Sequence, residues 1–200
     1  MPAAAPAAIA RLARVLASPE VKRTLAASPR TPEALAISLV SGLVWTDLAA
    51  LGADVRVRPT VRRAADLALA ARLPGLAVGE KIALARRAGT GVISALRSDP
   101  TPRVISALLE NPRLTEGQLA PALVSEETSP AILRLVAGNG KWGARPSVRA
   151  ILCKNPRTPV DASLPLLATL PRGELKAIAA DLRLPLPLRR RAEVLSGGAR

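Results

Sequence analysis

Apolar side chains recur along most of the chain at the three- and four-residue spacing of a helix face, as in Leu35, Leu39 and Leu43. The strict alternation that is typical of strands is missing from the sequence, so the pattern predicts an all-α protein. The predicted helices span residues 7–16, 19–27, 32–44, 46–52, 59–72, 80–88, 91–97, 102–110, 116–124, 130–137, 147–153, 159–169, 173–180 and 187–195.

Nineteen prolines punctuate this pattern, and many of them mark helix ends. Five pairs predict a hydroxyl N-cap followed by proline at the first helical position: Ser18-Pro19, Thr31-Pro32, Thr101-Pro102, Ser129-Pro130 and Thr158-Pro159. Thr115 and Gln118 have the spacing of a capping box. Helices of roughly 8–13 residues are marginal in isolation, so they must pack against one another.

The chain also contains an internal duplication. Residues 18–66 align without a gap with residues 145–193, and 17 of the 49 aligned positions are identical. A related unit begins near residue 102, where ENPRLT (110–115) is similar to KNPRTP (154–159). Self-similarity of this kind indicates a solenoid, in which each unit packs mainly on its neighbours. We therefore predict a single α-solenoid domain over residues 1–200.

Two segments resemble HEAT-type helical repeats: ADVRVRPTVRRAADLAL at 53–69 and, with its proline shifted by one, ADLRLPLPLRRRAEVL at 180–195. The NPRTP turn is similar to that of the leucine-rich repeat variant, a bacterial α-solenoid. This resemblance implies a right-handed solenoid of about 12–14 short helices paired as hairpins. In HEAT-type repeats, Asp and Arg commonly pair between units. The resemblance therefore implies a ladder among Asp54, Asp99, Asp181, Arg62, Arg149 and Arg189.

Composition restricts the chemistry, since the chain has no His, Tyr or Phe and a single cysteine, Cys153. Without imidazole or a second thiolate, we predict no metal, no cofactor and no enzymatic activity. The iron–sulfur cluster associated with the leucine-rich repeat variant is likewise not expected. No apolar run is long enough for a bilayer, and Arg11 and Arg14 interrupt the apolar first segment. We therefore predict a cytoplasmic protein.

The net charge of +14 is spread evenly, at +7 in each half of the chain. Arg30, Arg113 and Arg157 hold the same place in three units, so a regular stack is expected to align them along one edge. The predicted binding residues are Arg30, Arg113, Arg157, Arg62, Arg63, Arg189, Arg190, Lys141 and Trp142. Two interpretations stay open: the arginines bind a partner, or they satisfy helix-end carbonyls and aspartates. Trp142 is likewise either an exposed anchor or a packing contact.

These features predict a non-enzymatic scaffold that holds an acidic or helical protein partner on a concave face. The alternative is sequence-non-specific binding of duplex nucleic acid through an Arg-rich face, as some HEAT-like proteins bind DNA. The scarcity of aromatic rings argues against single-strand binding, which relies on base stacking. Membrane-surface binding through the first amphipathic helix is a third hypothesis.

Overall fold

The computed structural model describes residues 18–197, and this part of the chain is all-helical, as predicted. Its thirteen α-helices are interrupted by one 3-10 turn, Leu73–Gly75, and the described residues form no strand. The helices are α1 (Pro19–Ala27), α2 (Glu33–Val40), α3 (Trp45–Ala53), α4 (Pro59–Arg72), α5 (Val78–Ala85), α6 (Thr90–Leu96), α7 (Pro102–Leu109), α8 (Glu116–Val124), α9 (Pro130–Ala137), α10 (Pro146–Lys154), α11 (Val160–Leu167), α12 (Arg172–Ala180) and α13 (Leu186–Leu195). The predicted helix 7–16 lies outside the described residues.

The observed helix bounds lie close to the predicted ones because proline and apolar periodicity are local signals. The predicted hydroxyl caps are mostly wrong. Among the five Ser-Pro and Thr-Pro pairs, only Ser129 caps its helix, accepting the Ile132 N–H at 3.4 Å. Before α2 the N-cap is Pro32 itself, which places Thr31 one position too early. The capping box of Thr115 and Gln118 does form.

The chain folds into two compact units that divide between Ala95 and Leu96. In unit 1, α1 packs on α2 and α3, and α4 packs on the same two helices. In unit 2, from α7 onward, each helix packs against the helix two positions further along. The odd-numbered helices α7 to α13 therefore form one layer of unit 2, and the even-numbered helices α8 to α12 form the other.

The two duplicated segments carry the same four helices. α1, α2 and α3 begin and end 127 residues before α10, α11 and α12, and α4 begins 127 residues before α13. All ten buried positions of the first segment are buried again in the second. Both segments therefore use one core pattern, although most residues at the aligned positions differ.

The even-numbered helices of unit 2 run parallel to one another. The starts of α8 and α10 are joined by an ion pair between Glu116 and Arg145 at 2.5 Å. Their ends are joined by the Asn155 Nδ2, which donates to the Leu123 carbonyl at 2.6 Å. The turns of unit 2 therefore gather at two opposite edges, one at the starts and one at the ends of α8 and α10.

Candidate anion-binding edge

The structure places Arg113 and Arg157 at opposite edges of unit 2. Arg113 lies just before the start of α8, whereas Arg157 follows Asn155, which binds the end of α8. The nine residues of α8 make it about 13 Å long. The expectation that the two arginines share one edge is therefore wrong. The physical reason is that three helices separate their turns, and an odd number of antiparallel helices reverses the edge.

At Asp54 and Asp181 the predicted Asp–Arg ladder between units does not form as expected. Asp54 pairs instead with Arg56, two residues later, at 2.9 Å, and the Arg56 backbone N–H donates to the same carboxylate at 2.9 Å. Asp181 and Arg183 repeat this arrangement at 2.8 and 3.0 Å. The hydrogen bond from the Arg56 side chain lowers the pKa of Asp54 to about 2. Each ion pair therefore lies within a single turn.

Arg149 and Arg189, two further residues of that ladder, bind elsewhere. Arg149 donates to the Gly143 carbonyl at 2.7 Å and to the Thr169 hydroxyl at 2.7 Å. The Arg189 Nε donates to the Ala179 carbonyl at 3.3 Å, near the end of α12. The Arg189 contact follows the interpretation in which arginines satisfy helix-end carbonyls, whereas Arg149 binds a loop carbonyl and a hydroxyl.

Four of the predicted arginines have no such role. Arg30 and Arg63 in unit 1, and Arg157 and Arg190 in unit 2, are exposed. Their side chains make no hydrogen bond or ion pair with other described residues. Of the five identical positions that are exposed in both segments, three are arginines, and Arg30/Arg157 and Arg63/Arg190 are two of these pairs. Internal contacts do not account for this identity.

Trp142 is buried, with 0% of its surface exposed, and so lacks the exposed position that a binding anchor requires. Its Nε1 donates to the Leu109 carbonyl at 2.9 Å. Lys141 Nζ and the Arg145 guanidinium lie 4.9 and 4.5 Å from the ring centroid. The loop 138–145 therefore carries the packing contact, and Lys141 helps to cover the indole.

Three turns of unit 1 meet at one edge. The Arg58 Nη2 donates to the Thr31 carbonyl at 2.6 Å, which joins the turns 28–32 and 54–58. Gly89, in the turn 86–89, approaches the end of α3 so closely that a Cβ there would lie 3.0 Å from the Gly52 carbonyl oxygen. These turns carry five arginines and one aspartate. We call them, together with Arg62 and Arg63, the arginine edge.

The edge of unit 2 at the ends of α8 and α10 differs in charge. Its turns 97–101, 125–129, 155–159 and 181–185 carry three arginines and four acidic residues. Arg183 also lies 3.6 Å from Glu126 there. Of the predicted residues, Arg30, Arg62 and Arg63 thus lie on a basic edge. Arg157, Arg189 and Arg190 lie at or near an edge where basic and acidic residues are nearly equal in number.

A cleft of about 380 Å³ opens at the arginine edge. It is lined by Gly52, Pro59, Arg62, Arg63, Asp66, Leu67, Ala70, Thr90 and Gly91. The Asp66 carboxylate lies between two backbones: a Cβ on Gly52 or on Gly91 would collide with its oxygens. The Gly91 N–H donates to this carboxylate, but Oδ1 is buried without a partner.

This cleft was not predicted from the sequence. A signal for it lies in the duplication, where Gly52 aligns with Ala179 and Asp66 aligns with Glu193. The close approach of Asp66 to residue 52 requires glycine there, and the second segment lacks both residues.

Asp66 is expected to make unit 1 more stable in acid. Burial raises the pKa of this carboxyl above its usual value and outweighs the opposing effects of the Gly91 N–H and Arg62. The folded state therefore holds the proton more tightly, so the stability from Asp66 is full below the unfolded pKa and is lost as pH rises through the folded pKa. Urea midpoints from pH 3 to 7 are expected to fall relative to Asp66→Asn as pH rises.

Asp54→Asn is the matched control, because the lowered pKa of Asp54 has the opposite sign. Stability from Asp54 is present above its unfolded pKa and is lost as pH falls toward about 2. Parallel pH profiles for the two variants would contradict the assignment.

Asn155 ties two turns of unit 2 together and is expected to contribute strongly to stability. It is buried, donates to the Leu123 and Ser125 carbonyls at 2.6 and 3.1 Å, and accepts the Arg157 N–H at 2.9 Å. Asn155→Ala is expected to cost about 2–4 kcal/mol in urea unfolding, because buried partners lose their hydrogen bonds.

Ser28 occupies the equivalent position in the first segment and provides the control. It is half-buried, and among the described residues its hydroxyl accepts only the Arg30 N–H, at 3.2 Å. Ser28→Ala is expected to cost less than about 1 kcal/mol. Equal losses for the two variants would show that the link to α8 contributes nothing.

Cys153 is buried, and burial raises the pKa of its thiol to about 12. Among the described residues, no group of three or more Asp, Glu or Cys side chains is arranged to hold a metal ion. None of the described helices has the length and apolar character needed to cross a membrane.

No protein-family model, curated protein or solved structure matches the chain.

Proposed function

We propose that the protein is a non-enzymatic α-solenoid scaffold that binds an acidic segment of a protein partner at the arginine edge of unit 1. The observation that carries this proposal is the pair of exposed arginines, Arg30 and Arg63, which lack a partner among the described residues. The three turns of this edge hold five arginines against one aspartate. Such an excess attracts carboxylates and accelerates their association.

The helix stacking is compatible with a solenoid. Each helix of unit 2 contacts the helix two positions along, which is how repeat units build two continuous layers. The arginines at the turns then lie at the ends of the layers, where guanidinium groups reach a ligand without disturbing the core. Arginine also suits this role because its planar group binds a carboxylate through two parallel hydrogen bonds.

The test measures binding of a fluorescein-labelled, Glu-rich helical peptide to the full chain by fluorescence anisotropy. Arg30→Gln/Arg63→Gln is expected to weaken binding at least about tenfold, because both unpaired guanidinium groups are removed. The fold is expected to persist, because both side chains are exposed and neither makes a hydrogen bond or ion pair with another described residue.

The control variant is Arg103→Gln/Arg172→Gln, which removes the same charge from two exposed positions of unit 2. Equal weakening by the two double variants would mean that binding follows net charge alone, and the proposal would fail. Random-sequence duplex DNA forms a further arm. If the chain binds DNA more tightly than the peptide, and its affinity for DNA falls steeply as salt rises, the nucleic-acid alternative replaces the protein partner.

A further inference from the structure

The cleft beside Arg62 and Arg63 has features that neither the core nor the turns of unit 1 require. Arg62 lines it, and the Arg62 Nε is buried without a hydrogen-bond acceptor. In the second segment the equivalent Arg189 Nε donates to the carbonyl of Ala179, the residue that aligns with Gly52. The same arginine is thus satisfied within the chain in one segment and left unsatisfied beside an open cleft in the other.

The charges at the cleft favour a ligand with a single negative charge. Arg62 and Arg63 supply two positive charges and Asp66 supplies one negative charge, so one positive charge remains. Asp54, which lies near enough to affect Arg62, is already paired with Arg56. A carboxylate would neutralise the cleft, whereas a phosphate dianion would leave an excess of negative charge near Asp66.

The volume and the lining of the cleft agree with a small side chain. Its volume of about 380 Å³ lies near the lower end of the range for ligand sites. Pro59, Leu67 and Ala70 add apolar surface to the lining of the cleft, beside its charged groups. This apolar surface suits the methylene groups of a glutamate whose carboxylate binds the two guanidinium groups.

We infer that this cleft is a specific pocket for one carboxylate side chain, held by Arg62 and Arg63 at the arginine edge. The inference rests on the proposed function, since it assigns one acidic residue of the partner to a defined pocket. Arg62 supplies the fork of hydrogen-bond donors, and Asp66 restricts the charge that the pocket accepts.

The probe is acetate, added to the isotopically labelled full chain at pH 7.5 with chloride at matched ionic strength as reference. Acetate is expected to shift the Arg62 Nε–Hε and Gly91 amide resonances until the site is saturated. Chloride is expected to leave both resonances unshifted. Arg62→Lys keeps the charge but loses the fork, and is expected to weaken acetate binding at least fivefold. Asp66→Asn is expected to strengthen it at least threefold by removing the like charge.

Arg189→Lys is the matched control in the second segment and is expected to leave acetate binding unchanged. Equal effects of acetate and chloride would overturn the inference, and so would equal losses from Arg62→Lys and Arg189→Lys. Tighter binding of inorganic phosphate than of acetate would overturn the assignment to a single carboxylate. Amide spectra of each variant verify folding, and Arg62→Gln, which removes both the charge and the fork, is expected to weaken acetate binding more than Arg62→Lys does.

The two proposals fail separately. Saturable acetate binding without binding of the Glu-rich peptide would support the pocket and contradict the proposed partner surface. Peptide binding that depends on Arg30 and Arg63, without any acetate effect, would retain the surface and remove the pocket.

Discussion

Trp142→Ala is expected to destabilise unit 2 by about 3–5 kcal/mol, the usual cost of removing a large buried aromatic side chain. The indole is fully buried and its Nε1 donates to the Leu109 carbonyl at 2.9 Å, so the substitution also leaves that carbonyl without its donor. The substitution also removes the ring over which the Lys141 and Arg145 side chains lie. Urea unfolding followed by circular dichroism at 222 nm measures the change.

Two further variants separate packing from hydrogen bonding. Trp142→Phe keeps most of the ring but loses the Nε1 donor, and is expected to cost about 1–3 kcal/mol. Trp45→Ala removes the other tryptophan, which is half-buried and donates to Glu80 Oε1 at 3.0 Å. Its cost is expected to be smaller than that of Trp142→Ala. A loss below about 1 kcal/mol at Trp142 would contradict the buried position.

Gly143→Ala is expected to have the second large effect, because a Cβ at this position collides with backbone. It would overlap the Ala137 carbonyl oxygen and lie 2.9 Å from the Asn139 carbonyl oxygen. The Gly143 N–H also donates to the Asn139 carbonyl at 2.7 Å, which holds the loop in place. Since neither obstacle is a flexible side chain, the loop must deform, at a cost of about 3 kcal/mol.

The measurement is the apparent Tm, which is expected to fall by about 6–12 °C for this cost in a chain of this size. Gly140→Ala, three residues earlier, is the control, because a Cβ there meets open space. Its effect is expected to stay within about 0.5 kcal/mol. Similar shifts for the two glycines would show that the close approach at Gly143 is not what constrains the loop.

Helix positions followed from the sequence because their signals are local. α1, α4, α8 and α9 begin and end at the predicted residues, since proline and the spacing of apolar side chains act within one turn. The caps were predicted less well than the helix bounds. Thr31 and Thr158 fail as caps because their prolines take the N-cap position and the threonines themselves become buried.

The candidate site was predictable only in part. Arg30 was identified through its place in the repeat, and Arg63 as part of a pair of adjacent arginines on a predicted helix. For Trp142 the sequence left two interpretations open, an exposed anchor or a packing contact, because its partner, the Leu109 carbonyl, lies 33 residues away. The cleft was hidden for the same reason: α3, α4 and α6 each contribute to it, and no short motif joins them.

The turns held by the Asp54–Arg56 and Asp181–Arg183 ion pairs offer equivalent attachment points for reporter groups. The residue between the two partners, Val55 or Leu182, is 79% exposed in each case. A cysteine introduced at either position would react with a nitroxide or fluorescent maleimide, while the native Cys153 thiol, buried and with its pKa raised to about 12, would stay unmodified. Each unit can therefore carry one spectroscopic label without removal of the native cysteine.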